Sequence, residues 1–177
     1  MASVRTIAQL GNPILRTVSK EIACLEAPAI RSLGDDLLET ARHSNGVGIA
    51  APQVSEPVRM IVIASRPGVR YPNAPELSPV VMVNPEVLWT SKEKESGWEG
   101  CLSIPGLRGL VPRHLRVGVR YLTMDGEKRE VEYEGFPARV FQHEFDHLQG
   151  VLFVDRLESL NDLVTEQEYQ RRLSEKR

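Results

Sequence analysis

Cysteine is scarce. The 177 residues contain two, Cys24 and Cys101. This excludes a disulfide-dense scaffold and favours a reducing compartment, where a cysteine acts as a thiolate rather than as half of a bridge. An excess of charge of one sign is also missing. A formal net charge of −2 gives no general pull towards nucleic acid or an anionic membrane, so no specific nucleic-acid partner is expected. No apolar run approaches the roughly 20 residues that span a bilayer. The opening MASVRTIAQLGNP has no long apolar segment of the secretory kind. The expectation is therefore no membrane partner and a reducing, cytoplasmic location. A chain whose transit peptide had been removed would read the same way, so an organelle is the alternative. Repeats and breaks in composition are absent too, and the length suits one domain, 1–177.

What is present reads as α+β. Pro28 to His43 carries Ile30, Leu33, Leu37, Leu38 and Ala41 three or four apart, the spacing of an amphipathic helix. Pro28 suits its first turn and Asn45-Gly46 its end. GVGIAAPQ (46–53) predicts extended chain. Val58 to Ala64 predicts a strand apolar enough to be buried on both faces. Residues 65–79 hold four prolines and one glycine, the composition of a surface loop. Val80 to Trp89 predicts strand with a turn at Asn84-Pro85. The polar stretch SKEKESGWEG then leads to CLSIPG, where proline and glycine mark a second turn. Leu115 to Leu122 alternates, Asp125-Gly126 suits a hairpin, and Glu130 to Tyr133 would return as its partner. Pro137 suits the first turn of a second helix, and Gly150 its C-terminal cap. Asn161 predicts the cap of a terminal helix running to about Leu173. The fold expected is mostly antiparallel strands around a central helix bearing HEFDH, plus an N-terminal and a C-terminal helix. Cys24, without special context, is expected to be small and buried.

HEFDH (143–147) is the strongest chemical signal. Histidines four apart on a helix share a face and can grip one metal ion, and the glutamate between them can serve as base to a metal-bound water. With 4 histidines in the chain, the chance expectation of such a match is roughly 0.01. Two histidines do not complete a catalytic site, which ordinarily has three protein ligands. The spacing HExxHxxGxxH is excluded, because Phe153 stands where a third histidine would. Glu166 or Glu168, about 20 residues on, is one remaining source. The other lies upstream: Cys101 in EGCLS, or more remotely His114 or His43. Cys101 follows Gly100 and precedes a turn, and a thiolate is a strong ligand for zinc or ferrous iron.

Three segments together resemble the peptide deformylases. GVGIAAPQ (46–53) matches that family's GφGφAAxQ, EGCLS (99–103) its EGCφS, and QHEFDHLQG (142–150) its QHExDHLxG, in the family's order. The resemblance implies Cys101, His143 and His147 as ligands of one divalent metal ion. Fe2+ is the usual ion, with Zn2+, Ni2+ or Co2+ as substitutes. It implies removal of the formyl group from N-formyl-methionyl nascent polypeptides, with Glu144 as proton carrier and Gln53 and the Leu102 N–H as oxyanion donors. It further implies that Gly46, Val47 and Gly48 pair with an extended peptide. Val47, Phe136, Val140 and the face of His143 would receive the methionine, and Arg108 would touch the substrate backbone or lie at the surface. Arg139 would border that pocket or be solvated. Gln142 and Asp146 would support the histidines. In some relatives the C-terminal helix docks on the ribosome surface; here a solvated helix is the expectation. The competing reading is a metallopeptidase that uses Glu166 or Glu168, and a third is a binding protein without turnover.

Overall fold

The structure, a computed structural model, describes residues 2–67, 71 and 74–175. Among the described residues, two antiparallel sheets and three α-helices form an α+β fold. The larger sheet has the order β1-β2-β3-β6-β7, with β1 Gly48–Ala50, β2 Met60–Ser65, β3 Leu77–Thr90, β6 Arg116–Leu122 and β7 Lys128–Glu134. The smaller sheet has the order β4-β5-β8, with β4 Lys94–Cys101, β5 Ile104–His114 and β8 Leu163–Thr165. The helices are α1 Pro28–His43, α2 Phe136–Leu148 and α3 Glu166–Ser174.

The apolar pattern of β2 explains the layering. Successive side chains of a strand point to opposite faces. Ile61 and Ile63 pack with Met82, Val117 and Val119 against Val140, Phe141 and Leu148 of α2. Met60 and Val62 pack on the other face against Leu33 and Leu37 of α1. The smaller sheet has its own cluster, in which Cys101, Ile104 and Val111 meet Leu15, Leu152 and Phe153.

Helix α2 starts with Pro137 in its first turn and ends as its sequence suggests. Gly150, at φ 70°, directs its N–H to the His147 carbonyl (3.2 Å), while the Val151 N–H reaches the Asp146 carbonyl (3.0 Å). That is the double bond of a left-handed glycine cap. A Cβ at Gly150 would also stand 2.5 Å from the Arg16 carbonyl oxygen, so backbone conformation and space both demand glycine there.

Several expectations are corrected. SKEKESGWEG is not merely a polar connection: Lys94 to Cys101 is β4. It is an edge strand of the three-stranded sheet, and its exposed charges suit an unpaired edge. The turn of CLSIPG falls at Leu102-Ser103, between Cys101 and its partner Ile104, while Pro105 and Gly106 belong to β5. Asn84-Pro85 makes no turn. Asn84 sits at φ 47° where the β3–β6 register shifts, a bulge inside one long strand. Its amide accepts from the Ile22 N–H and donates to the Ile22 carbonyl, both at 2.9 Å. Asn161 lies in a short 3-10 turn, and the cap of α3 is Thr165, whose hydroxyl accepts from the Glu168 N–H. GVGIAAPQ is extended only through Ala50, then turns as a 3-10 segment, Ala51–Val54. The 65–79 loop is shorter than expected, since β2 keeps Ser65 and β3 begins at Leu77; residues 68–70 and 72–73 lie outside the described residues. Cys24 is exposed.

Candidate metal centre

Helix α2 supplies two of the three expected ligands, and the tight β4–β5 connection supplies the other. His143 and His147 are one turn apart on α2, with ring centroids 5.2 Å apart. Cys101 ends β4, and its Sγ lies 3.4 Å from His147 Nε2. One donor atom from each of Cys101, His143 and His147 falls within 4.8 Å of the others, and all three residues are buried. One sulfur and two imidazole nitrogens are a donor set that suits zinc or ferrous iron. The other candidate ligands are engaged elsewhere. Glu166 pairs with Arg108, Glu168 with Arg171 and Arg172, and His114 Nδ1 lies 2.6 Å from the Ser91 carbonyl oxygen. His43 is the exposed last residue of α1.

Glu144, between the two histidines, is buried, and its Oε2 has no protein hydrogen-bond partner. Burial pushes its carboxyl up to about 7, against a lowering by His143. A carboxyl poised near neutrality, with one oxygen left open, can both accept and donate a proton. Gly48 makes room for it: a Cβ there would lie 2.4 Å from Glu144 Oε1 and 2.7 Å from its Cγ. Gly48 therefore serves close approach and not a turn. Gln53 is oriented by its own backbone, because its Oε1 accepts from the Ala50 N–H at 2.8 Å. Its Nε2 is thereby aimed at Ser103 Oγ (3.1 Å) and Cys101 Sγ (3.5 Å). Leu102 is the first residue of the turn that follows Cys101.

A buried ionic network backs these groups. His143 Nδ1 lies 2.9 Å from Glu99 Oε2. Glu99 also accepts from Arg113 Nε (2.9 Å) and Nη2 (3.0 Å) and from Arg139 Nη1 (3.0 Å). Burial acts to raise the Glu99 carboxyl, but Arg113 and the His143 hydrogen bond outweigh it and hold the group well below the usual carboxylate range. Arg113 Nη1 donates in turn to Asp146 (2.6 Å), which also binds Arg156. Gln142 instead bonds the backbone of His114, donating to its carbonyl and accepting from its N–H. Sequence reasoning missed Glu99, Arg113 and Ser103. Only Glu99 left a trace, since a ligating histidine needs a partner for its second nitrogen and EGCLS offers a carboxylate.

An apolar cavity opens beside these residues. Val47, Tyr71, Leu102, Phe136 and Val140 line it, together with His143 and Glu144. Gly46, Gly48, Gln53 and Arg139 also reach its wall. Arg108 lies outside that wall, fully buried behind Gly100.

The polypeptide deformylase family model matches residues 4–162. Peptide deformylase 2 of a Nostoc species is 51% identical over 164 residues, which make up 93% of this chain and 92% of that protein. A class I type b peptide deformylase from Acinetobacter baumannii, solved with Met-Ala-Ser bound, shares 48% identity. It aligns with a TM-score of 0.86, covering 89% of this chain and all of that one. The Thermotoga maritima peptide deformylase shares 38% identity with a TM-score of 0.78, over 89% of this chain and 99% of its own. Near-complete coverage at such identities carries the family with it: this chain belongs to the peptide deformylases.

Proposed function

We propose that this deformylase, which removes N-formyl groups from nascent polypeptides, holds one divalent metal ion on Cys101, His143 and His147. In this reading Glu144 is the proton carrier, and Gln53 and the Leu102 N–H are the oxyanion donors. The observation that carries it is the convergence of three buried ligand atoms within 4.8 Å beside the unpartnered Glu144 Oε2. When bound, the ion supplies Lewis acidity and lowers the pKa of a coordinated water. Glu144 takes the proton from the attacking water and returns it to the departing amine nitrogen as the formyl C–N bond breaks. Gln53 Nε2 and the Leu102 N–H stabilise the charge that develops on the formyl oxygen; losing one such donor typically costs about 10²–10³ in rate.

The substrate is read by backbone and by pocket. Strand β1 is an edge of the larger sheet, so an extended peptide can add along Gly46 to Gly48. The methionine side chain enters the cavity between Val47, Phe136 and Val140, against His143. Ferrous iron is the proposed native ion, with zinc, nickel or cobalt as substitutes, because one thiolate and two imidazoles accept all four. A bacterial cytoplasm is the proposed location, supported by bacterial relatives and by the scarcity of cysteine. Helix α3 offers the ribosome no free basic stripe among its described residues. Arg171 and Arg172 both pair with Glu168, which supports a solvated face.

The test is formate release from formyl-Met-Ala-Ser, by protein prepared without oxygen and loaded with ferrous iron or nickel. Release is expected, and it should vanish in Glu144→Ala that still carries metal. Folded, metal-replete wild type that releases nothing would sink the reading. Metal stoichiometry separates the ligand sets: Cys101→Ala is expected to lose the ion, while the double change Glu166→Gln with Glu168→Gln keeps it. The opposite pattern would favour a metallopeptidase.

A further inference from the structure

We propose that Arg108 is a positioning residue for the methionine cavity: it fixes Tyr71 as a wall that selects the N-terminal side chain, and it ties that wall to helix α3 through Glu166. This rests on the reading above that the cavity receives methionine.

Arg108 is the largest fully buried side chain among the described residues, at 0% exposure. A buried guanidinium persists only when its charge and donors are met. Glu166, the first residue of α3, meets the charge: Arg108 Nε donates to its Oε2 at 2.6 Å. Arg108 Nη1 donates to the Tyr71 hydroxyl at 3.1 Å. The guanidinium carbon lies 5.2 Å from the Tyr71 ring centre and 5.0 Å from that of Tyr169, within cation–π range of both. The bulge in β5 makes this possible. Glu99 pairs with Gly109 and Cys101 with Ile104, so four residues, Pro105 to Arg108, stand opposite Gly100 alone. Any Cβ at Gly100 would come within 3.1 Å of the Arg108 side chain.

Tyr71 needs such an anchor. It lies between β2 and β3, outside both strands, and its carbonyl accepts a single backbone hydrogen bond among the described residues, from the Ala74 N–H (3.2 Å). Yet its ring lines the cavity and packs 4.9 Å, centroid to centroid, from Phe136, which lines the same cavity. The ring is held by the hydroxyl bond to Arg108 and by contact with Phe136. A cavity discriminates between side chains only as well as its walls are fixed, since looser walls fit shorter and bulkier groups alike. The chain of contacts thus runs from α3 through Glu166 and Arg108 to the surface that meets the thioether. Glu166 thereby affects selectivity without touching the cavity.

The experiment compares KM and kcat for formyl-Met-Ala-Ser and formyl-Leu-Ala-Ser in wild type, Tyr71→Phe, Tyr71→Ala and Glu166→Ala. Tyr71→Phe removes only the hydroxyl and is expected to raise KM for the methionyl peptide about three- to tenfold, with the loss falling on KM more than on kcat. Tyr71→Ala should narrow the methionine-to-leucine ratio of kcat/KM by about tenfold. Glu166→Ala should move KM in the same direction as Tyr71→Phe, and Glu166→Gln, which keeps an acceptor for Arg108, should recover part of it. A purely structural role predicts instead a lower melting temperature with KM and the ratio unmoved, and that result overturns the proposal. So does a wild-type KM for the methionyl peptide in both Tyr71→Phe and Glu166→Ala. If wild type releases no formate from either peptide, the functional reading fails and the inference with it. If wild type is active and the variants match it, the inference alone fails.

Discussion

Gly48→Ala is expected to slow formate release by about 10²–10⁴-fold, as far as Glu144→Ala does, the range that a positioned acid–base group typically contributes. The change adds one methyl group and removes no functional atom. Its Cβ would stand 2.4 Å from Glu144 Oε1, 2.7 Å from Cγ and 2.8 Å from Cδ. The clash involves the middle of the side chain as well as its tip, so rotating the carboxylate does not relieve it. Glu144 is 4% exposed and can yield only into the cavity that it lines, and a displacement near 1 Å at a catalytic group can cost about 10²-fold. Backbone strain plays no part, because Gly48 lies in β1 outside the left-handed region. The diagnostic combination is a near-normal metal content, a folded protein and a collapsed kcat. An alanine variant with wild-type kcat would mean that Glu144 is not the proton carrier or that β1 yields freely.

The second large effect concerns stability and metal together. Glu99→Ala removes the carboxylate that faces Arg113, Arg139 and His143 Nδ1. Arg113 would keep Asp146, but Arg139 would keep only carbonyl oxygens: those of Gly97, Val111 and Glu95. Breaking a buried ion pair from one side costs about 3–5 kcal/mol, because the remaining charge stays buried without compensation. For a chain of this size that corresponds to a melting temperature lower by about 6–20 °C. Loss of the second-nitrogen partner of a ligating histidine should also weaken metal affinity about 10–100-fold. Glu168→Ala is the control, since its pairs with Arg171 and Arg172 are exposed and such pairs are worth about 0–1 kcal/mol. Differential scanning calorimetry and a metal competition assay read the two effects separately. A Glu99→Ala protein that melts with the wild type and holds its metal as tightly would refute the supporting role.

Elements with strong periodicity were legible before the structure. Helix α1 has the bounds its apolar spacing predicts, β2 is buried on both faces as its run of aliphatic residues implies, and the β6–β7 pair sits around Asp125-Gly126. Strand β4 was missed because its first three residues are exposed and its polar composition imitates a loop. Strand β8 has three residues, too few to show a period of two. Asn84 was misread because Asn-Pro signals a turn, whereas here the left-handed asparagine is absorbed by a bulge. The proposed ligands and Gln53 could be named because each stands in a compact motif. The Glu99–Arg113 pair could not. In the β4–β5 ladder Arg113 faces Glu95, and Glu99 faces Gly109, so the pair is not a cross-strand neighbour that spacing would reveal. Arg108 was expected at the substrate and lies instead behind the cavity wall, because a three-residue excess in β5 carries it there.

The two cysteines differ in a way that gives the protein its own gauge of integrity. Cys24 is exposed. Cys101 is buried, and its sulfur is surrounded by His147 Nε2, Gln53 Nε2 and the Ser103 N–H. Alkylation of a thiol requires access as well as thiolate character. A maleimide therefore counts a single fast-reacting thiol on an intact molecule, and a second one only when the hairpin that carries Cys101 has opened. Because that hairpin also supports Arg108 and the Leu102 turn, the slower thiol works as a clock for the catalytic half of the fold, readable by mass spectrometry on unmodified protein with no substrate present.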